Sequence, residues 1–223
     1  MFTSSVGKKL VMSFTGIFLI LFLIIHVGLN ACIWANDGGE MFNKGAHFMG
    51  GNIIPRLLEV GLFIGLLLHI IQAYMLTVQN RNARSVGYAI DYGNAGSKWY
   101  SRSMALLGTL VLLFLVLHLA NFWLPNRYSQ GLSLSGEIDL YAKMKDIFTD
   151  TSGLGIATLV IYLLGCAALG YHLAHGFQSA FKTLGVHNKR YHIMLRSMGY
   201  GFAILVPLAF AMMPLSFHFG WIS

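Results

Sequence analysis

Five apolar runs decide what this chain can fold into. They cover about Leu10 to Trp34, Ile53 to Val78, Met104 to Leu124, Leu154 to Phe181 and Met194 to Phe217, and each reaches the roughly 20 apolar residues needed to cross a bilayer core. Lipid offers backbone groups no hydrogen-bond partner, so runs of this kind are helices. Composition points the same way: 56% of the residues are hydrophobic and 10% charged, whereas soluble domains carry roughly 25% charged residues. The expected fold class is an all-α integral membrane protein, a bundle of five transmembrane helices forming a single domain over residues 1–223. Lys8 and Lys9 precede the first run as in a signal peptide, but its apolar part is about twice the usual ~7–15 residues. It is expected to stay on the chain.

The basic residues orient the bundle. An N-terminus in the cytoplasm puts Lys8, Lys9, Arg81, Arg84, Lys98, Arg102, Lys182, Lys189, Arg190 and Arg196 inside, against Lys44, Arg56, Arg127, Lys143 and Lys145 outside, as the positive-inside rule asks. Of the acids, only Asp91 falls inside. The net charge of +7 thus reads as topology and a basic inner face, not as a nucleic-acid site. Cys32 and Cys166 fall at different depths, so no disulfide is expected, and neither fits a zinc or covalent-haem spacing.

The chemistry lies with histidines. An imidazole inside hydrocarbon is costly and marks a functional site by default. At 1.5 Å per residue, His26 lies ~24 Å into the first helix and His118 ~21 Å into the third, both in the outer third. His69 lies ~24 Å into the second helix and His172 ~26 Å into the fourth, both near the inner face. Two neutral imidazoles from different helices at one depth supply two axial nitrogens to an iron macrocycle, leaving it six-coordinate and suited to electron transfer. Two b-type haems, one above the other, follow, with His26 and His118 as outer and His69 and His172 as inner iron ligands. His175 either replaces His172 or hydrogen-bonds a propionate; Arg102, Lys182 and Arg84 are further propionate candidates. A hydrogen bond to a neighbouring helix explains one buried histidine well, but not four matched in two levels.

Other residues have narrower readings. Gly61 and Gly65 share the His69 face, where they either leave room for a flat group or allow close helix packing. Glu59, the one carboxylate within a predicted span, marks a proton path or an interfacial contact. The outer loop that holds His47 is rich in Gly and Asn and is not expected to hold regular structure throughout. Around Ile138, Tyr141, Met144 and Phe148 an amphipathic segment is expected to lie in the outer interface. His187, His192 and His218 read as surface residues. Pro207 and Pro214 are tolerated as kinks.

Taken together, IIHVGLN around His26, FNKGAHFM ending at Met49, PRLLEVGLFIGLLLH from Pro55 to His69, LVLHLANF around His118 and YHLAHGFQSAFKTLG around His172 resemble the cytochrome b558 subunit of succinate dehydrogenases, the single-chain dihaem anchor shared with some fumarate reductases. The matching stretches span nearly the whole chain in order. The resemblance aligns His172 with the family's ligand. It implies a flavoprotein and an iron-sulfur subunit docked on the cytoplasmic face of a bacterial inner membrane, and a place in the respiratory chain and tricarboxylic acid cycle. Menaquinone or another quinone would be reduced at the outer side, with Glu59, and more weakly His47, delivering protons. No dicarboxylate site is expected on this chain. One departure stands out: some dihaem fumarate reductases carry a glutamate where this chain has Gly170. The alternatives are another five-helix dihaem cytochrome of the nitrate-reductase kind, whose ligands come from two helices, or a haem-free anchor or proton channel.

Overall fold

The computed structural model describes residues 4–82, 98–127, 138–185 and 188–222, and among these every regular element is helical. In order they are α1 (Ser5–Ala31), α2 (Glu40–Gly51), α3 (Ile53–Asn82), α4 (Trp99–Arg102), α5 (Met104–His118), α6 (Leu140–Thr149), α7 (Gly153–Thr183) and α8 (Lys189–His218). A 3₁₀ turn, Cys32–Ala35, follows α1, and a π-helical turn, Leu119–Trp123, continues α5. Five helices are long and apolar enough to cross a membrane: Val6–Ala35, Ile53–Asn82, Met104–Arg127, Gly153–Thr183 and Ile193–His218. Arg84, Tyr88, Asp91, Tyr92, Glu137 and His187 lie outside the described residues, as does the side chain of His192.

Local chemistry sets the helix starts. Ser4 accepts from the Gly7 N–H, Asp139 from Ala142, Ser152 from Gly155 and Asn188 from Arg190, each satisfying an amide that the first turn leaves without a partner. The long helices then run alternately up and down. The end that carries the N-terminus is called basal, the other distal.

Helix α7 is the centre of the bundle, packed against α1, α5 and α8, while α3 leans on α1 and turns most of its surface outward. Leu21, Ile25, Leu57, Ile64, Leu113 and Leu164 are all exposed on outward faces, as befits a bundle solvated by hydrocarbon chains. Small residues bring helices together. A side chain at Gly65 would press on Phe18 at 3.1 Å, so this glycine serves the α1–α3 contact, not a flat group; at Gly61 there is open space within 4 Å. A Cβ at Gly170 would stand 3.1 Å from the Ala203 carbonyl oxygen. Pro207 has no N–H to offer that carbonyl, so α7 and α8 meet closely at the α8 proline, and any side chain at Gly170 would press on α8 by a few tenths of an ångström.

Three expectations about the distal end are corrected. The Gly- and Asn-rich stretch after α1 does form a helix, α2. Asp37 accepts from the Gly39 and Met41 N–H groups at 3.1 and 2.9 Å, and Gly39 takes φ +87° against the Tyr141 ring, a conformation that suits glycine alone. Helix α6 forms where the amphipathic period places it, but its apolar face does not lie in lipid. Tyr141, Met144 and Phe148 are buried against Ile33, Phe42, Tyr162 and Phe217, so α6 is a lid packed on the bundle. His218, expected at the surface, is half-buried, and its Nδ1 lies 3.2 Å from the Phe148 carbonyl, tying the end of α8 to that lid.

Candidate functional site

Four helices each send one histidine inward, and the four meet in two pairs. At the distal level His26 of α1 faces His118, the last residue of α5, with ring centroids 5.8 Å apart and planes at 88°. At the basal level His69 of α3 faces His172 of α7 at 6.3 Å and 65°. Thr15 of α1 touches His69, which makes the two levels about 16 Å apart along α1 at 1.5 Å per residue.

These distances can be tested against two chemistries. A metal-bound imidazole nitrogen lies about 2.0–2.1 Å from the ion, and the ring centroid roughly 1 Å behind it, so two imidazoles flanking one ion stand roughly 6 Å apart. Ordinary edge-to-face aromatic contacts fall in the same range. No hydrogen bond joins the members of either pair among the described residues, and the Nδ1 atoms of His118 and His172 are buried with no partner at all. A buried polar atom left unmatched costs about 1–3 kcal/mol, and here each level carries one. Each level thus carries a ring nitrogen that a finished polar core would have matched.

The donor set narrows the group further. Among the described residues no three His, Cys, Asp or Glu side chains gather as a metal site. Two nitrogens per level do not hold a bare ion, which takes about four protein ligands in a structural site. They do suit a metal that brings its own in-plane ligands. The surroundings are aromatic and apolar. Phe22 stacks on His26 at 5.1 Å and Phe114 on His118 at 5.7 Å, with Phe122, Tyr162 and Phe210 closing the distal level. At the basal level glycines stand beside the rings: a Cβ at Gly16 would make ordinary contact with His69 at 3.8 Å and one at Gly108 with His172 at 3.6 Å.

Neighbours also set the tautomer of His69. The Thr15 hydroxyl has one hydrogen, directed to the Val11 and Met12 carbonyls at 2.9 and 3.1 Å. Its oxygen therefore accepts from His69 Nδ1–H at 3.2 Å, leaving the Nε2 lone pair available to a metal, the usual outer-shell arrangement for a ligating histidine. Asn30 donates to the His26 carbonyl at 2.8 Å and stands 3.5 Å from its Nδ1, too long to fix that ring's tautomer.

The remaining sequence candidates scatter around the pairs. His175 is half-buried one turn beyond His172, and the ring that faces His69 is that of His172. Arg102 and Lys182 are exposed at the basal end. His47 is exposed on α2 and lines a cleft of about 200 Å³ with Asn43, Asn126 and Asp139. Glu59 is paired: Arg127 donates to both of its carboxylate oxygens and Trp123 Nε1 donates at 2.6 Å.

Sequence alone assigned no role to Trp123 and Thr15, and Arg127 counted only toward the orientation of the bundle. A carboxylate inside a span demands a cation, and Arg127 is the first cation beyond the third run, so that signal was present. What it lacked was the π-helical turn directly after His118, which carries one more residue than an α-turn and rotates Trp123 and Arg127 onto Glu59. Compared with family models, with curated proteins and with solved structures, the chain matches none.

Proposed function

We propose that the chain is the dihaem cytochrome b membrane-anchor subunit of a succinate:quinone oxidoreductase in a bacterial cytoplasmic membrane, with its N-terminus cytoplasmic. The observation that carries this reading is the meeting of four histidines, from four helices, as two facing pairs at two levels. Four contributing helices also favour it over the nitrate-reductase kind of cytochrome, whose ligands come from two.

His69 and His172 would hold the basal haem and His26 and His118 the distal one. When bound, the haems supply one-electron transfer between an iron-sulfur partner at the basal face and a quinone, menaquinone or another, at the distal side. The chain's own residues hold and shield. Thr15 fixes the His69 ring, and Phe22, Phe114 and Phe210 keep water from the distal pair. Glu59 accepts three hydrogen bonds from Arg127 and Trp123, so it takes up a proton for a nearby quinone only when Arg127 withdraws.

A reduced-minus-oxidised spectrum of the purified chain tests the reading. It should show b-type bands that a soluble menaquinone analogue reoxidises. A chain with no haem bands would instead be a haem-free anchor or channel.

A further inference from the structure

We infer that α2 is an interfacial helix: the flank that carries Met41 and Phe48 is covered by lipid of the distal leaflet, where headgroups meet acyl chains, so that α2 rather than α6 marks the membrane boundary at that end. The inference rests on the bundle lying in a bilayer and not on the haem reading. Depth is the first observation. Gly45, in the middle of α2, stands against α1, where an added Cβ would lie 3.2 Å from the Leu29 side chain. Leu29 falls inside the first membrane-crossing stretch, Val6–Ala35, about 9 Å short of its Ala35 end at 1.5 Å per residue. Helix α2 therefore folds back beside the outer turns of α1 instead of standing clear of the bundle, at the ~5–10 Å depth of helices that lie in an interface.

At that depth the faces of α2 sort by polarity. Phe42 is buried in the cluster that holds Ile33, Tyr141 and Phe217, on the side turned to the protein. At about 100° per residue, Met41 and Phe48 share one flank of the rest, and both are exposed, at 54% and 58%. Glu40, Lys44 and His47 share the other, also exposed, with Lys44 paired to Glu40 at 2.6 Å. The turn that follows is fixed. The Asn52 side chain donates to the Phe48 carbonyl at 2.9 Å and Arg56 Nε to the Gly50 carbonyl at 2.7 Å, which ties α2 to the start of α3, where Ile53, Ile54 and Leu57 are exposed in turn. The apolar flank is thus held beside the mouth of a membrane span and meets hydrocarbon, while Lys44 and Glu40 reach toward headgroups and water. Lipid is favoured over a protein partner because the flank adds only Met41 and Phe48 to span surface that lipid already covers.

Nitroxide labels test the placement. They would be carried by Met41→Cys, Lys44→Cys, Phe48→Cys and, as a reference exposed within the third span, Leu113→Cys, each in the full-length chain with Cys32→Ser and Cys166→Ala, reconstituted in phosphatidylethanolamine–phosphatidylglycerol liposomes. Collisions with oxygen, which concentrates in hydrocarbon, would be compared with collisions with a water-soluble nickel chelate. The oxygen-to-nickel ratio at Met41 and Phe48 should approach that at Leu113 and exceed that at Lys44 severalfold. Ratios at Met41 and Phe48 as low as at Lys44 would put the flank in water and overturn the inference. Labels reached by neither reagent would mean that protein covers the flank, a second copy or a partner, and would overturn it too. A Leu113 label open to nickel refutes the membrane reading itself, whereas Leu113 in lipid with Met41 and Phe48 in water refutes this inference alone. Where the cysteine-free chain does not fold, p-benzoylphenylalanine in place of Phe48 in the otherwise wild-type chain decides the same question on illumination: a lipid adduct supports the placement, and a protein adduct or none overturns it.

Discussion

His69 and His172 are alike in sequence and differ in what surrounds them. Counting residues from the run ends is enough to bring both to the basal level, because helix rise is constant. It does not reveal which nitrogen of either ring is free, since that depends on a hydroxyl from another helix. Thr15 uses its single hydrogen on its own helix and so acts as acceptor for His69. Thr15→Val keeps the shape and removes the acceptor. It should weaken uptake of the basal haem about tenfold, the lower end of the range for outer-shell changes, and leave distal uptake unaltered in a pigment titration. Equal weakening at both levels would contradict this role. His175, by contrast, was not separable from His172 by spacing; the side chain opposite His69 belongs to His172, the one the resemblance had aligned.

Among the elements, the spans were readable because length and hydropathy suffice for them, whereas the distal lid was not. Helix α6 announces itself by an amphipathic period, yet the period does not say whether protein or lipid covers the apolar side. Helix α2 was missed because its glycines and asparagines argue locally for a loop; the Asp37 cap and the Tyr141 contact override them. The α6 start gives a pH prediction. The Ala142 N–H, and then the Asn43 amide, hold the Asp139 carboxyl below the ordinary carboxylate range. A depressed folded value stabilises the lid at every pH above the unfolded carboxylate's, about 3.9, and the contribution is lost as pH falls through the folded value. Amide protection in α6 should therefore be flat from about pH 8 to 5 and fall only below about 4; a loss between pH 7 and 5 would implicate another group. The π-helical turn makes a second prediction. Arg127→Ala should cost about 2 kcal/mol in detergent unfolding, the scale of a hydrogen bond to a charged group; this lies under the cost of breaking a fully buried pair because the Arg127 and Glu59 side chains are 25% and 22% exposed. Deleting Ala120 restores α-helical phase and should cost a similar amount, since it turns Arg127 away from Glu59 while His118 stays upstream of the change. A deletion that unfolds like wild type would show that the extra residue in the turn does not position the pair.

For the whole molecule, the proposed function sends charge along a bundle of five membrane-spanning helices. The helices and their alternation were legible from apolar length, and the two levels from histidine depth; the lid, the Glu59–Arg127 tie between α3 and α5, and the closeness of α7 to α8 at Gly170 required the packed structure. With the basal face cytoplasmic and a quinone taking protons at the distal side, each electron crossing is favoured by ~2.3 kcal/mol per 100 mV. Succinate-to-menaquinone turnover in intact membranes should then slow when an uncoupler collapses the potential, and insensitivity would contradict uncompensated charge movement. The most direct measurement is haem counted per chain in histidine variants. Wild type and His175→Ala should hold two, His118→Ala and His172→Ala one each with different residual spectra, and the double variant His118→Ala/His172→Ala none. Two haems retained in either single variant, or one and the same haem lost in both, would contradict the pairing on which the account rests.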